Sequence, residues 1–317
     1  MKKAIQISMD VFSIASSAKK QLDDDAVRKI TAFVMSRMNG DGGFQGKSSS
    51  SDIYYTFFAL ATLAGLGASK PVSPVLSYMK KIEVDKLGFI DLYCMACMQP
   101  LITYLRMPIK LRPLALASAR KSKIFTGRAA HELVGRLEGY RSKDGGYNQN
   151  VRNSKHGTVY AAFLACQAYD NLGLEIPDKT GILDSLENLK SSDKGYANQP
   201  DMPYGTTTAT AASAIIMQYL LGKPPQPVEQ WLLGQLLPTG GFRASPQTPI
   251  ADILSTATAV LALKHMGHKF ENRQGIIEFV EEHWDESGGF FGSMLDPYCD
   301  CEYTFYALLT LGCLLEA

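Results

Sequence analysis

Two groups of side chains in this chain are spaced for chemistry. Cys299-Asp300-Cys301-Glu302 puts two thiols and two carboxyls side by side, and Asp252 opens a comparable apolar segment earlier in the chain. Asp252, Asp300 and Cys301 together could hold a divalent cation, although mixed soft sulfur and hard oxygen donors single out neither Mg²⁺ nor Zn²⁺. Asp300, Glu302, Tyr303 and Asp252 are equally the candidates for proton transfer, because carboxyls and phenols brought together in a pocket can exchange a proton with a substrate. Cys94-x-x-Cys97 has the spacing of a metal or redox pair, yet it lies in the apolar run LYCMACM, where a buried core pair is the simpler reading. No Ser-His-Asp or Cys-His set is readable from spacing.

These residues need a large frame. The 317 residues are 46% hydrophobic and 20% charged, enough to bury a sizeable core and to exclude wholesale disorder. A net charge of +1 argues against a general nucleic-acid binder. No run of eighteen apolar residues is present, so a membrane-spanning helix is not expected. After Met1-Lys2-Lys3 the stretch AIQISMDVFSIASSA imitates a secretory leader, but Asp10 interrupts its apolar part. Six cysteines in a chain of this length make no disulfide framework, and the expected compartment is a reducing cytoplasm.

The frame is a repeat. Glycine followed by an aromatic recurs at Gly43-Phe44, Gly88-Phe89, Gly146-Tyr147, Gly195-Tyr196, Gly241-Phe242 and Gly289-Phe290, with the aromatics 45, 58, 49, 46 and 48 residues apart. Glycine gives the turn its positive φ, and the aromatic can pin it to the body. Each turn follows an amphipathic segment such as 25–38 or 273–284 and precedes a more uniformly apolar one, such as 52–67, 157–173, 206–222, 251–267 or 301–315. The uniformly apolar helix must be buried and the amphipathic one covers it. Twelve helices in six outer–inner pairs can close into a ring, an all-α (α/α)6 toroid over residues 1–317 in a single domain, although length alone suggests two. In TTTATAASA (206–214) small residues either let neighbouring helices approach or widen the centre.

An Asp-Gly-Gly-Phe-like turn, a polar loop, then Asp or His opening an apolar helix resembles the prenyltransferase and squalene-cyclase repeat. The likeness runs from about residue 25 onward, and residues 41–67 resemble the protein prenyltransferase β-subunit most strongly. It implies an α/α toroid with a zinc site made by an Asp-x-Cys and a later His. Here Leu254 stands in place of that cysteine and Tyr303 in place of the histidine, so the family zinc set is incomplete. Neither the acidic cluster of class II terpene cyclases nor Cys-Gly-Glu-Gln is found, and Asp23-Asp24-Asp25 reads as a helix start. His156-Gly157-Thr158-Val159-Tyr160 is similar to the diphosphate-touching His-Gly-Gly-Tyr of the β-subunits, one unit earlier in the chain.

The first turns of the inner helices are expected to line the mouth of a central cavity, with Tyr54, Tyr55, Tyr93, His156 and Tyr160 binding substrate beside Asp252, Asp300, Glu302 and Tyr303. Tyr54, Phe57, Phe58, Phe163 and Phe305 read equally well as ordinary core. An insertion between the second and third turns carries Arg106, Lys110, Arg112, Arg120, Lys121, Lys123 and Arg128 without an acid. It fits a solvated face, a diphosphate clamp through Arg120 and Lys121, an anionic membrane surface, or a helical partner subunit. The resemblance implies an enzyme acting on an isoprenoid diphosphate, with Mg²⁺ or Zn²⁺ as the cation if one is used. The alternatives are a non-catalytic toroid that binds a lipid or a partner protein, and an enzyme for another apolar or polymeric substrate.

Overall fold

A computed structural model describes residues 7–67, 71–107, 128–222 and 227–315. One helix, α1 (Ile7–Ser17), stands apart from the repeats. Six outer–inner pairs follow: α2 (Asp24–Ser36) with α3 (Ile53–Gly65), α4 (Val72–Met79) with α5 (Phe89–Arg106), and α6 (Arg128–Glu138) with α7 (Val159–Asn171). The second half continues with α8 (Lys179–Glu187) and α9 (Thr207–Leu221), α10 (Pro227–Leu233) and α11 (Ile253–Met266), then α12 (Arg273–Glu281) and α13 (Cys301–Leu314). Each inner helix packs on the next, and α13 packs on α3, so the inner ring closes. The molecule is an α/α toroid.

Local chemistry explains the inner helices. Asp52, Thr158, Thr206, Asp252 and Asp300 each accept a backbone N–H of the first turn, the capping interaction that short polar side chains make best. Gly222 and Gly267 close α9 and α11 in the left-handed region, at φ 76° and 84°.

The turns weld one unit to the next. Gly42, Gly145, Gly240 and Gly288 have φ of 93°, 91°, 90° and 93°. A Cβ there would sit 2.2 Å from the Pro74 carbonyl oxygen, 2.5 Å from Gly181 Cα, 1.9 Å from the Gly275 oxygen and 2.4 Å from the Lys29 oxygen, respectively. Each contact falls on the next outer helix, and the last returns to α2, so the outer ring closes too. Lys194 takes the same position in the fourth turn at φ 74°. The backbone N–H groups of Phe44, Tyr196, Phe242 and Phe290 donate to the hydroxyls of Thr56, Thr210, Thr256 and Thr304 at 2.9, 2.9, 2.9 and 3.2 Å.

Two features differ from the sequence expectation. The loops before α3 and α13 form small antiparallel hairpins, β1 (Phe44–Gln45) with β2 (Ser51–Asp52) and β3 (Phe290–Ser293) with β4 (Asp296–Asp300). The leader-like segment, which the six expected pairs leave out, supplies a further helix. Helix α1 packs on α13, α3 and α7 across the end of the ring where α3 and α13 finish. Lys19 Nζ donates to the Leu66 carbonyl and Gln21 Nε2 to that of Leu311, both at 3.3 Å. Ala15 is buried in the core, and Val11 and Ile14 pack against it. Among the described residues no helix is long and apolar enough to cross a membrane.

Candidate active site

A cavity of about 260 Å³ runs through the centre, with all six inner helices and Val11 of α1 in its wall. A cavity of about 150 Å³ holds benzene, so by the same ratio this one holds about ten carbon atoms. Thr208, Ala211 and Ala212 lie in the wall, so the small residues of α9 widen the centre. Along α7 the residues facing it are Tyr160, Phe163, Leu164, Gln167 and Asn171, the stripe that a 3.6-residue period puts on one face. From Tyr160 to Asn171 that stripe spans about 16 Å.

Aromatic rings dominate the end where the inner helices begin. Tyr54 and Phe58 stand 4.8 Å apart, Phe58 and Tyr306 5.5 Å, Phe58 and Phe305 5.6 Å, and Phe57 and Tyr93 5.9 Å. Glu302 projects into this aromatic wall from the first turn of α13. Tyr54 Oη donates to Glu302 Oε1 at 2.5 Å. Burial pushes the Glu302 carboxyl up to about 7; the Tyr54 hydrogen bond opposes the rise, and the nearby Asp300 adds to it. Burial also raises the phenols of Tyr54, Tyr160 and Tyr306, so they remain protonated donors. A carboxyl that is half protonated near neutrality, in an apolar aromatic chamber, suits general acid–base work.

The other acids at this end have a different use. Asp300 is 3% exposed and accepts the Tyr303 backbone N–H at 2.9 Å; burial raises it to about 6. Asp252 accepts the Ser255 N–H and hydroxyl, both at 2.7 Å, and burial raises its carboxyl as well. Both cap helices, and neither is part of the cavity wall. Tyr303 and Tyr55 pack over Gly292 and Gly46 instead of lining the cavity. His156 lies in the loop before α7 with Nδ1 3.6 Å from Asp144 Oδ2, also outside the wall. Cys94 and Cys97 are free and fully buried, and burial raises both thiols; Cys97 reaches the cavity. Tyr54, Tyr93, Tyr160 and Glu302 are thus brought together, while Arg120 and Lys121 lie outside the described residues.

Several wall residues carry no signal in the motifs. Phe57, Phe58, Phe163 and Phe305 turn out to face the cavity. Gln167, Asn171 and Tyr306 join them; the stripe along α7 would have located the first two.

A family model described as the prenyltransferase alpha-alpha toroid domain matches residues 3–97 and 223–316. The chain belongs to that family. No curated protein matches the chain. The two matched segments of the toroid contain Tyr54, Tyr93 and Glu302, whereas Tyr160, Gln167 and Asn171 lie between them.

The zinc ion used by the protein prenyltransferases does not fit the residues of this toroid. Leu254 and Tyr303 occupy the thiolate and imidazole positions, and the oxygens of Asp252 are engaged by Ser255. Burial holds the Cys299 thiol up at about 11 and the Cys301 thiol at about 12, so both are neutral near pH 7. Among the described residues no three His, Cys, Asp or Glu side chains converge as a metal set, so Asp252, Asp300 and Cys301 are not brought together as one.

Proposed function

We propose that this toroid is an enzyme that breaks an allylic C–O bond of a short isoprenoid, an alcohol or its diphosphate, with Glu302 as the acid. The observation that carries the reading is the Glu302 carboxyl, raised to about 7 and held by Tyr54 within an aromatic chamber that has room for about ten carbons.

In this reading the hydrocarbon lies along the cavity with its oxygenated head beside Glu302. The Glu302 proton passes to the departing oxygen, which leaves with the bonding electron pair. The allylic cation that remains faces the rings of Tyr54, Phe58 and Tyr306, whose π-faces are negative. The Glu302 carboxylate then takes a proton from the neighbouring carbon, so a diene and water, or a diene and diphosphate, leave and the acid is restored. Among the described residues the cavity wall carries a carboxyl and no Lys, Arg or His, which favours acid assistance over charge neutralisation of the leaving group.

The test is incubation of the purified protein with ten-, fifteen- and twenty-carbon allylic alcohols and diphosphates, with organic products and pyrophosphate measured separately. Turnover is expected for the ten-carbon compounds and to fall with chain length. The acid must be protonated to act and its folded value lies near 7, so the rate should decline as pH rises through 7. No product from any ten-carbon compound, or a rate that climbs between pH 6 and 8, would reject the reading. A toroid that only binds lipid would retain the ten-carbon compounds unchanged, an outcome the incomplete zinc set makes worth scoring.

A further inference from the structure

Away from Glu302 the cavity is polar on one side only. Helices α5 and α7 meet in two matched rungs, the upper starting from Tyr93 of the aromatic end and the lower lying deeper. On the upper rung Tyr93 Oη donates to Gln167 Oε1 at 2.6 Å, which uses that carbonyl. On the lower rung, four residues further along each helix, Asn171 Nδ2 donates to Cys97 Sγ at 2.9 Å. All four side chains line the cavity. The lower rung is unfinished: Asn171 Oδ1 has no hydrogen-bond partner, although the residue is only 7% exposed. A buried amide oxygen left unmade is costly, and the native fold normally supplies a partner. The wall also includes Ile215, Leu261, Leu309 and, from α1, Val11, none of which can donate. The Cys97 sulfur accepts from the amide nitrogen, so Nδ2 is the engaged end of Asn171.

We propose that Asn171 forms a tail subsite that accepts a hydrogen bond from a hydroxyl at the far end of the ligand, making the preferred ligand a doubly oxygenated isoprenoid. One oxygen is the head that reaches Glu302, and the other is a hydroxyl at the opposite end of the ten-carbon chain. This assignment rests on the cavity's being an isoprenoid site and adds a requirement to it. A hydroxyl on the tail would complete the lower rung, whereas a plain hydrocarbon tail leaves the Asn171 oxygen unpaired in an apolar pocket.

Equilibrium binding to the full chain, by calorimetry, separates the two claims. The probes are a ten-carbon allylic alcohol, the same alcohol with a second hydroxyl on its far terminal carbon, and the methyl ether of that second hydroxyl, which accepts but cannot donate. The wild-type protein should bind the diol about three- to tenfold more tightly than the mono-alcohol, the range of one good hydrogen bond, and the ether more weakly than the diol. In Asn171→Leu the diol's advantage should vanish while the mono-alcohol still binds. If Asn171→Leu does not fold, the comparison of diol with ether in the wild-type protein still decides the matter. Equal affinity for diol and mono-alcohol, an ether that matches or exceeds the diol, or a diol preference that survives Asn171→Leu would each overturn the subsite alone. Failure of all three probes to bind would overturn the subsite and the functional reading together.

Discussion

At the mouth of the cavity the polar groups are a carboxyl and phenols set among edge-on and tilted rings; at the far end they are amides and a thiol under a helix that crosses the ring. The mouth can give and take a proton near neutrality because burial has moved Glu302 to about 7. Among the described residues nothing at the far end titrates in that range, since side-chain amides do not ionise near neutrality and the Cys97 thiol is raised. One end is therefore equipped to react and the other to hold. The same contrast exists within α13. Asp300 and Glu302 are two residues apart, yet the first spends its oxygen on the backbone and the second faces the chamber.

The sharpest way to break this contrast is at the mouth. Glu302→Gln keeps an acceptor for Tyr54 but removes the transferable proton, and turnover should fall about 10²- to 10⁴-fold with little change in KM. Steady-state kinetics that show less than a tenfold loss would move the chemistry elsewhere. At the far end the expected effect is on stability. A Cβ on Gly312 would sit 1.9 Å from the Ile14 carbonyl oxygen, so Gly312→Ala should cost about 1–3 kcal/mol as α1 is forced off the ring. Chemical denaturation checks this, and an unchanged midpoint would show that α1 does not bear on the ring's end. The smallest effect separates the neighbours in α13. Asp300→Ala should cost about 0.5–2 kcal/mol through the lost cap, while the decline in turnover near pH 7 persists and moves to lower pH, because the neighbouring charge that helps to raise Glu302 is gone. If that decline disappears with Asp300 and survives Glu302→Gln, the two carboxyls have exchanged roles.

The frame was legible because its signals are local. The glycines that need positive φ and the aromatic beside each mark the turns, and uniformly apolar segments mark the inner helices. Tyr54, Tyr93, Tyr160 and Glu302 were within reach because first-turn residues of an inner helix must border the opening. Asp252 and Asp300 were harder to place, since a capping aspartate and a ligand aspartate occupy the same position and differ only in what their oxygens already bind. Asn171 was hidden by its setting next to a helix end, where asparagine is unremarkable, and its role depends on Cys97, 74 residues away. Helix α1 was hidden because an apolar stretch after two lysines looks the same whether it is discarded or seated in a core.

The seating of α1 also orders events in time. Ile14 lies against Gly312, and Lys29 against Gly288, so the earliest elements of the ring rest on the latest. On the ribosome α1 can meet α3 and α7 early, but its seat on α13 is missing until that helix has been made, and the part of α1 that covers α13 must wait, exposed, through that interval. Contacts this distant in sequence are slow to form and leave a long-lived open intermediate. The final stitch joining first helix to last should set the pace of maturation, and the half-made ring should be the species most prone to aggregate.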